Sequence, residues 1–111
     1  MSVLPRYYEA VVPIEKFTEY CLNPEKDCDK ATAFDDALGY NRGNARLLIS
    51  EIIANLPKFP ARMKEDLGYG QGYEVIMRLR GPNGKFAKVL TGWIDHCGSG
   101  EMRLTTAHVD S

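Results

Sequence analysis

The stretch "GWIDHCGSGEMRLTTAHVD" (residues 92–110) carries both histidines of the chain, its single tryptophan, a Thr-Thr pair and an arginine. Those types together suit phosphodiester chemistry. Cleavage of RNA through its own 2′-hydroxyl needs a group to take that proton, a group to protonate the leaving oxygen, and cations to steady the phosphate. His96 and His108 are the imidazoles, and an imidazole titrates close enough to neutrality to serve as acid or base. His96 reads as a loop residue, which leaves His108 for proton transfer, with Lys30 as the second charged group. Arg103 offers two parallel donors to a phosphate, and Thr105 and Thr106 offer hydroxyls. Arg78, Arg80 and Trp93 are the candidate substrate-binding groups, two cations and a ring on which a base can stack. The plainer reading of the same residues is a solvated strand face, where threonine and arginine are common because they suit the pleat.

The elements that would hold these groups divide the chain in two. "YYEAVVP" reads as a short strand or an extended arm. Pro13 opens a helical pattern with Ile14, Phe17, Cys21 and Leu22 on one side, closed by Pro24. A second helix starts at Asp29 as cap, buries Ala31, Phe34, Ala37 and Leu38, and ends at Gly39. A third shows the clearest period: Ala45, Leu48, Ile49, Ile52, Ile53 and Leu56, with Asn44 as cap and Pro57 and Pro60 beyond it. "KFPARMKEDLGYGQG" reads as a connecting loop.

After it the period changes to two. Tyr73, Val75, Met77 and Leu79 alternate with Glu74, Ile76, Arg78 and Arg80. "GPNG" is a hairpin turn, "KFAKVLTGWID" a second strand and "EMRLTTAHV" a third. Met102, Leu104, Thr106 and His108 fall on one side of that last strand, and Arg103, Thr105, Ala107 and Val109 on the other. The expected fold is a single α+β domain over residues 1–111. Residues 1–60 supply about three helices, packed on one face of an antiparallel meander of three to four strands in residues 72–110. The second face is left open, with Arg78, Arg80, Lys88 or Trp93, Arg103 and Thr105 standing on it.

Composition narrows the function classes. Nothing approaches the run of about 18 apolar residues that a membrane span needs, and "MSVLPRYYEAVVPIEKF" lacks the apolar block of a secretion signal. The expectation is a cytoplasmic protein without a membrane partner. Three cysteines, Cys21, Cys28 and Cys97, have no framework spacing, so no disulfide scaffold is expected. His96, Cys97, Cys28 and His108 match no metal-ligand spacing. "GYGQG" lacks the lysine and the strand–helix setting of a phosphate loop. No metal and no cofactor is therefore expected. The net charge of −1 offers nucleic acid no general attraction, yet it is unevenly spread: residues 1–40 hold eight acidic and four basic side chains, residues 41–111 seven and ten.

Three stretches carry a family resemblance: "VPIEKFTEYCLNPEKD", "DKATAFDDALGY" and "LRGPNGKFAKVLTGWI…RLTTAHV". In these the chain resembles a family of small bacterial domains of unknown function, some free-standing and some at the ends of toxin-like proteins. More remotely, helices followed by an antiparallel sheet with a Thr-rich last strand are similar to the barnase–EndoU–colicin–RelE group of toxin ribonucleases. That likeness implies a cation near a helix start and Arg and Ser/Thr groups on the sheet, which here are Lys30, Arg103, Thr105 and Thr106. The family reads histidine where this chain has Asp29, and tyrosine where it has His108. Acid–base duty then falls to His108.

Two functions are expected from all this. One is a small toxin-like, metal-independent endoribonuclease, or a diverged inactive relative, with RNA as substrate and an antitoxin-like protein as a further partner. The alternative is a non-catalytic protein-interaction module anchored by Tyr69, Tyr73 and Trp93.

Overall fold

The computed structural model of the protein describes residues 2–66, 68, 70–96 and 100–110. Two α-helices, α1 (Cys28–Leu38) and α2 (Ala45–Asn55), and a π-helical segment (Lys16–Cys21) precede a four-stranded sheet. The strands are β1 (Ala61–Asp66), β2 (Gly70–Arg80), β3 (Phe86–His96) and β4 (Met102–Val109). They form an antiparallel meander in the order β1-β2-β3-β4, so β1 and β4 are its edges. The expected α+β architecture is the one observed. All the helices lie on one face: α1 over β3 and β4, α2 over β2, and the π-helical segment over β4.

The helices form where their apolar residues share a side. In α1, Ala31, Phe34 and Leu38 are buried, and in α2, Ala45, Leu48 and Ile52, with Leu56 just beyond. Each large side chain removed from water in this way contributes roughly 2 kcal/mol. Ile53, assigned to the same stripe on period, turns outward and is 45% exposed. The cap of α1 is Asp27 rather than Asp29: its Oδ1 accepts from the Lys30 amide at 3.0 Å, and Asp29 stands in the first turn. A capping carboxylate must precede the amide it accepts from by two or three residues, and Asp27 is the acid so placed. Asn44 does not cap α2 directly; its Oδ1 accepts from the Asn41 amide in a capping box one short turn upstream.

The segment read as a connecting loop holds a strand instead, so the sheet begins at Ala61 and not at residue 72. β1 is an edge strand whose residues after Ala61 are all exposed, which is why it shows no apolar alternation. The N-terminal segment is neither a full strand nor a free arm. Tyr7–Glu9 form a 3-10 turn, Leu4 is fully buried, and Val11 makes one parallel bridge to Arg103. Arg6, at a left-handed φ of 51°, donates to the Asp95 carboxylate and to the Gly100 carbonyl, fastening this segment to the end of the sheet.

Beneath the helices, Val75, Met77, Leu79, Val89, Trp93, Met102, Leu104 and Ala107 complete the core. Thr91 is also buried, and its hydroxyl is fully used. It donates to the Val75 carbonyl at 2.8 Å and accepts from Trp93 Nε1 at 2.8 Å. Unpaired, either group would cost about 1–3 kcal/mol in that position.

The β2–β3 turn docks on the helices. Tyr40 Oη donates to the Arg80 carbonyl at 2.7 Å, Glu51 Oε2 accepts from the Arg80 amide at 2.8 Å, and Gly81 lies against the last turn of α1. A β-carbon at Gly81 would stand 1.8 Å from the Leu38 carbonyl oxygen. Gly81→Ala is accordingly expected to destabilise the protein by at least about 3 kcal/mol, read as a lowered urea midpoint. Burial, and then the Glu51 carboxylate, push the Tyr40 phenol from 10.0 up to about 12. The folded state thus keeps its proton where the unfolded chain has lost it. The stabilising effect is complete below pH 10 and fades as pH rises to about 12. Urea titrations across that window should show a steeper alkaline loss for wild type than for Tyr40→Phe.

Candidate functional site

The sheet face opposite the helices is set by register, and it is open only in part, since Ile94 in its first row is 2% exposed. Its rows across the strands are Gly72, Ile94 and Arg103; then Glu74, Gly92 and Thr106; then Ile76, Leu90 and His108; then Arg78 and Lys88; and last Arg80 and Phe86. Val89, Thr91 and Trp93 have the opposite parity and point into the core. Trp93 is therefore not on the open face: it is 1% exposed, bonded to Thr91, and offers no ring for a base to stack on. With a period of two, Lys88 and Trp93 cannot share a face, and Lys88 is the exposed one.

The last strand departs from simple alternation. Gly92 pairs with Thr106 and Trp93 with Leu104, so Thr105 is an extra residue, a β-bulge. Met102 and Leu104 point inward before it, and Ala107 after it. Thr106 and His108 consequently leave the side of Met102 and Leu104, where strict alternation had put them, and join the open face. Gly92 eases the bulge: a β-carbon there would lie 3.0 Å from both Thr105 Oγ1 and Thr106 Cγ2, so these side chains would have to give by a few tenths of an ångström.

Lys30 completes this corner. It lies in the first turn of α1, beside edge strand β4, and its Nζ donates to Thr106 Oγ1 at 3.0 Å. The Thr106 hydroxyl, with its lone pair engaged by an ammonium group, keeps its own proton for another acceptor. His108 is the next outward residue on the strand, about 7 Å along, and is half-buried opposite Leu90. Lys30, Thr106 and His108 therefore share one corner, with exposed Thr105 at its rim.

The other candidates lie apart from that corner. Arg103 is exposed, on the far side of the bulge, and its guanidinium is held by Glu101 Oε2 at 3.1 Å. Arg78 and Arg80 stand two strands away toward the β2–β3 turn. Phe86 lies with them, 53% exposed, with the Arg78 guanidinium 4.5 Å and the Arg80 guanidinium 6.0 Å from its ring centre. The sequence signal for Phe86 is its parity with Lys88 just after the "GPNG" turn, and it is absent from the site residues expected above. Glu74 accepts ion pairs from Arg62 at 3.8 Å and Lys64 at 3.9 Å, beside a cleft of about 240 Å³ lined by Pro60, Ala61 and Ile76. Cys21 is buried and Cys28 is exposed at the start of α1; Tyr69 and Cys97 lie outside the described residues. Among the described residues, no three His, Cys, Asp or Glu side chains gather as a metal site would require. Among the described residues, no helix is long and apolar enough to cross a membrane.

These features define a class: an α+β domain with helices on one face of a four-stranded meander and its polar groups on the other. Residues 3–111 match the model of the family described as Domain of unknown function (DUF6883), and the chain belongs to that family. No curated protein and no solved structure matches the chain.

The effect of the glycine at the bulge is open to test. Gly92→Ala should lower stability by about 1–2 kcal/mol and shift the amide resonances of Thr105 and Thr106, both measured against wild type.

Proposed function

We propose that this protein is a small toxin-like endoribonuclease that cleaves RNA by transesterification without a metal ion. The observation that carries the reading is the Lys30 Nζ contact to Thr106 Oγ1 at the open edge of the sheet, with His108 next along the strand. In the proposed step the His108 imidazole takes the 2′-hydroxyl proton and the 2′-oxygen bonds to phosphorus. The bond from phosphorus to the 5′-oxygen breaks, and that oxygen takes a proton from the Lys30 ammonium group. The products are a 2′,3′-cyclic phosphate and a free 5′-hydroxyl. Thr106 donates to a non-bridging oxygen, where charge develops in the transition state. Thr105 and Arg103 contact the neighbouring phosphate.

The charge of the face supports this assignment. Arg78, Arg80 and Lys88 have no carboxylate partner among the described residues, so their charge is free for a polyanion. The competing reading, a protein-interaction module, loses one of its three anchors with Trp93 in the core. In this proposal a cytoplasmic toxin of this kind is matched by an antitoxin-like protein covering the same corner.

Incubation of total RNA with purified protein in excess chelator should yield fragments ending in cyclic phosphate. His108→Ala and Lys30→Met should each slow this by roughly 100-fold or more with an unchanged circular dichroism spectrum. RNA left intact by well-folded wild-type protein would overturn the proposal.

A further inference from the structure

The far end of the open face carries a separate feature. Among the described residues, Phe86 is the large hydrophobic side chain exposed on that face, 53% accessible to solvent at the start of β3. An aromatic ring so placed ordinarily gains by burial, and its sheet neighbours do not provide it. They provide cations instead. Arg80 is its cross-strand partner, Arg78 stands on the same side one row along, and the Arg78 guanidinium lies 4.5 Å from the ring centre. Lys88, opposite Arg78, adds a third positive charge.

We infer that Phe86, Arg78 and Arg80 form a stacking subsite for an unpaired base of single-stranded RNA, with the two guanidinium groups holding the flanking phosphates. A base is flat and its phosphates are anionic, so one ring with two arginines beside it answers both parts of a nucleotide. In a duplex the bases are stacked on one another and cannot reach the ring, so the subsite selects unpaired strands. The inference rests on the open face being an RNA surface and deepens that reading by naming the strand form bound. Phe86 and His108 are four residues apart along the sheet, since His108 pairs with Leu90. That is about 14 Å, so a bound strand must extend past the cleavage corner to gain the contact.

The probe is a fluorescently labelled single-stranded RNA decamer, with the same sequence annealed to its complement as control. Anisotropy is read in chelator with His108→Ala protein, so that cleavage does not interfere. Phe86→Ala should weaken binding of the single strand by about 10-fold, Phe86→Tyr should restore it, and duplex binding should be the weaker and indifferent to both changes. Arg78→Ala should lower affinity and flatten its salt dependence. Equal single-strand affinity for Phe86→Ala and its parent would overturn the inference, as would no RNA binding at all. If single strands bind through Phe86 and wild-type protein never cleaves them, the subsite stands and the ribonuclease reading falls. If RNA is cleaved and Phe86→Ala neither binds more weakly nor cleaves long strands more slowly, the reverse holds.

Discussion

An extra residue in an edge strand has to go somewhere, and in β4 its accommodation decides which groups reach solvent. Met102, Leu104 and Ala107 are all buried, and no strictly alternating strand can point residues 102, 104 and 107 to one side. The bulge at Thr105 resolves the conflict by placing two residues opposite Gly92. The core gains Ala107, and Val109 packs against it. In return Thr106 and His108 are carried to the uncovered face, where Lys30 meets the threonine. Packing on one side of the sheet and exposed chemistry on the other thus share a single backbone irregularity, eased by the hydrogen that Gly92 has in place of a side chain.

The same economy governs the helices. α1 both buries Phe34 and Leu38 and presents Lys30 from its first turn, because the Asp27 cap fixes where the helix begins. Its far end receives the β2–β3 turn, where Asn83, Gly81 and the Tyr40–Arg80 contact meet. One short helix therefore ties the edge strand to the central hairpin. The geometry of the Lys30 corner inherits the rigidity of that attachment.

Much of this was legible in the sequence, for identifiable reasons. The apolar spacing of α1 and α2, the alternation through Tyr73–Arg80 and the "GPNG" turn each report burial that local period encodes directly. β1 went unread because an edge strand exposed on both sides has no period to show. The alternation of β3 leaves Lys88 and Trp93 as alternatives for the open face, because polar Thr91 shares the parity of Trp93; only the bonds of Thr91 to Trp93 and to the Val75 carbonyl reveal why a threonine belongs inside. The bulge has no residue signature of its own, so Thr106 and His108 were named as site residues and assigned to the wrong side. The convergence of Lys30 and Thr106, 76 positions apart, follows from the helix crossing over β4 and from no local pattern.

Among the described residues, the meander leaves the outer side of its first strand without a strand neighbour, and only the Ala61 amide donates across it, to the Ser2 carbonyl. An unpaired ladder is an invitation to a second chain. Here the invitation is withdrawn by Arg62, Lys64, Glu65 and Asp66, crowded along one side of the sheet or the other. A strand adding at that margin would have to strip water from several charges to gain a handful of backbone bonds. Growth of the sheet into a fibril is thereby discouraged at the margin where the backbone would otherwise permit it.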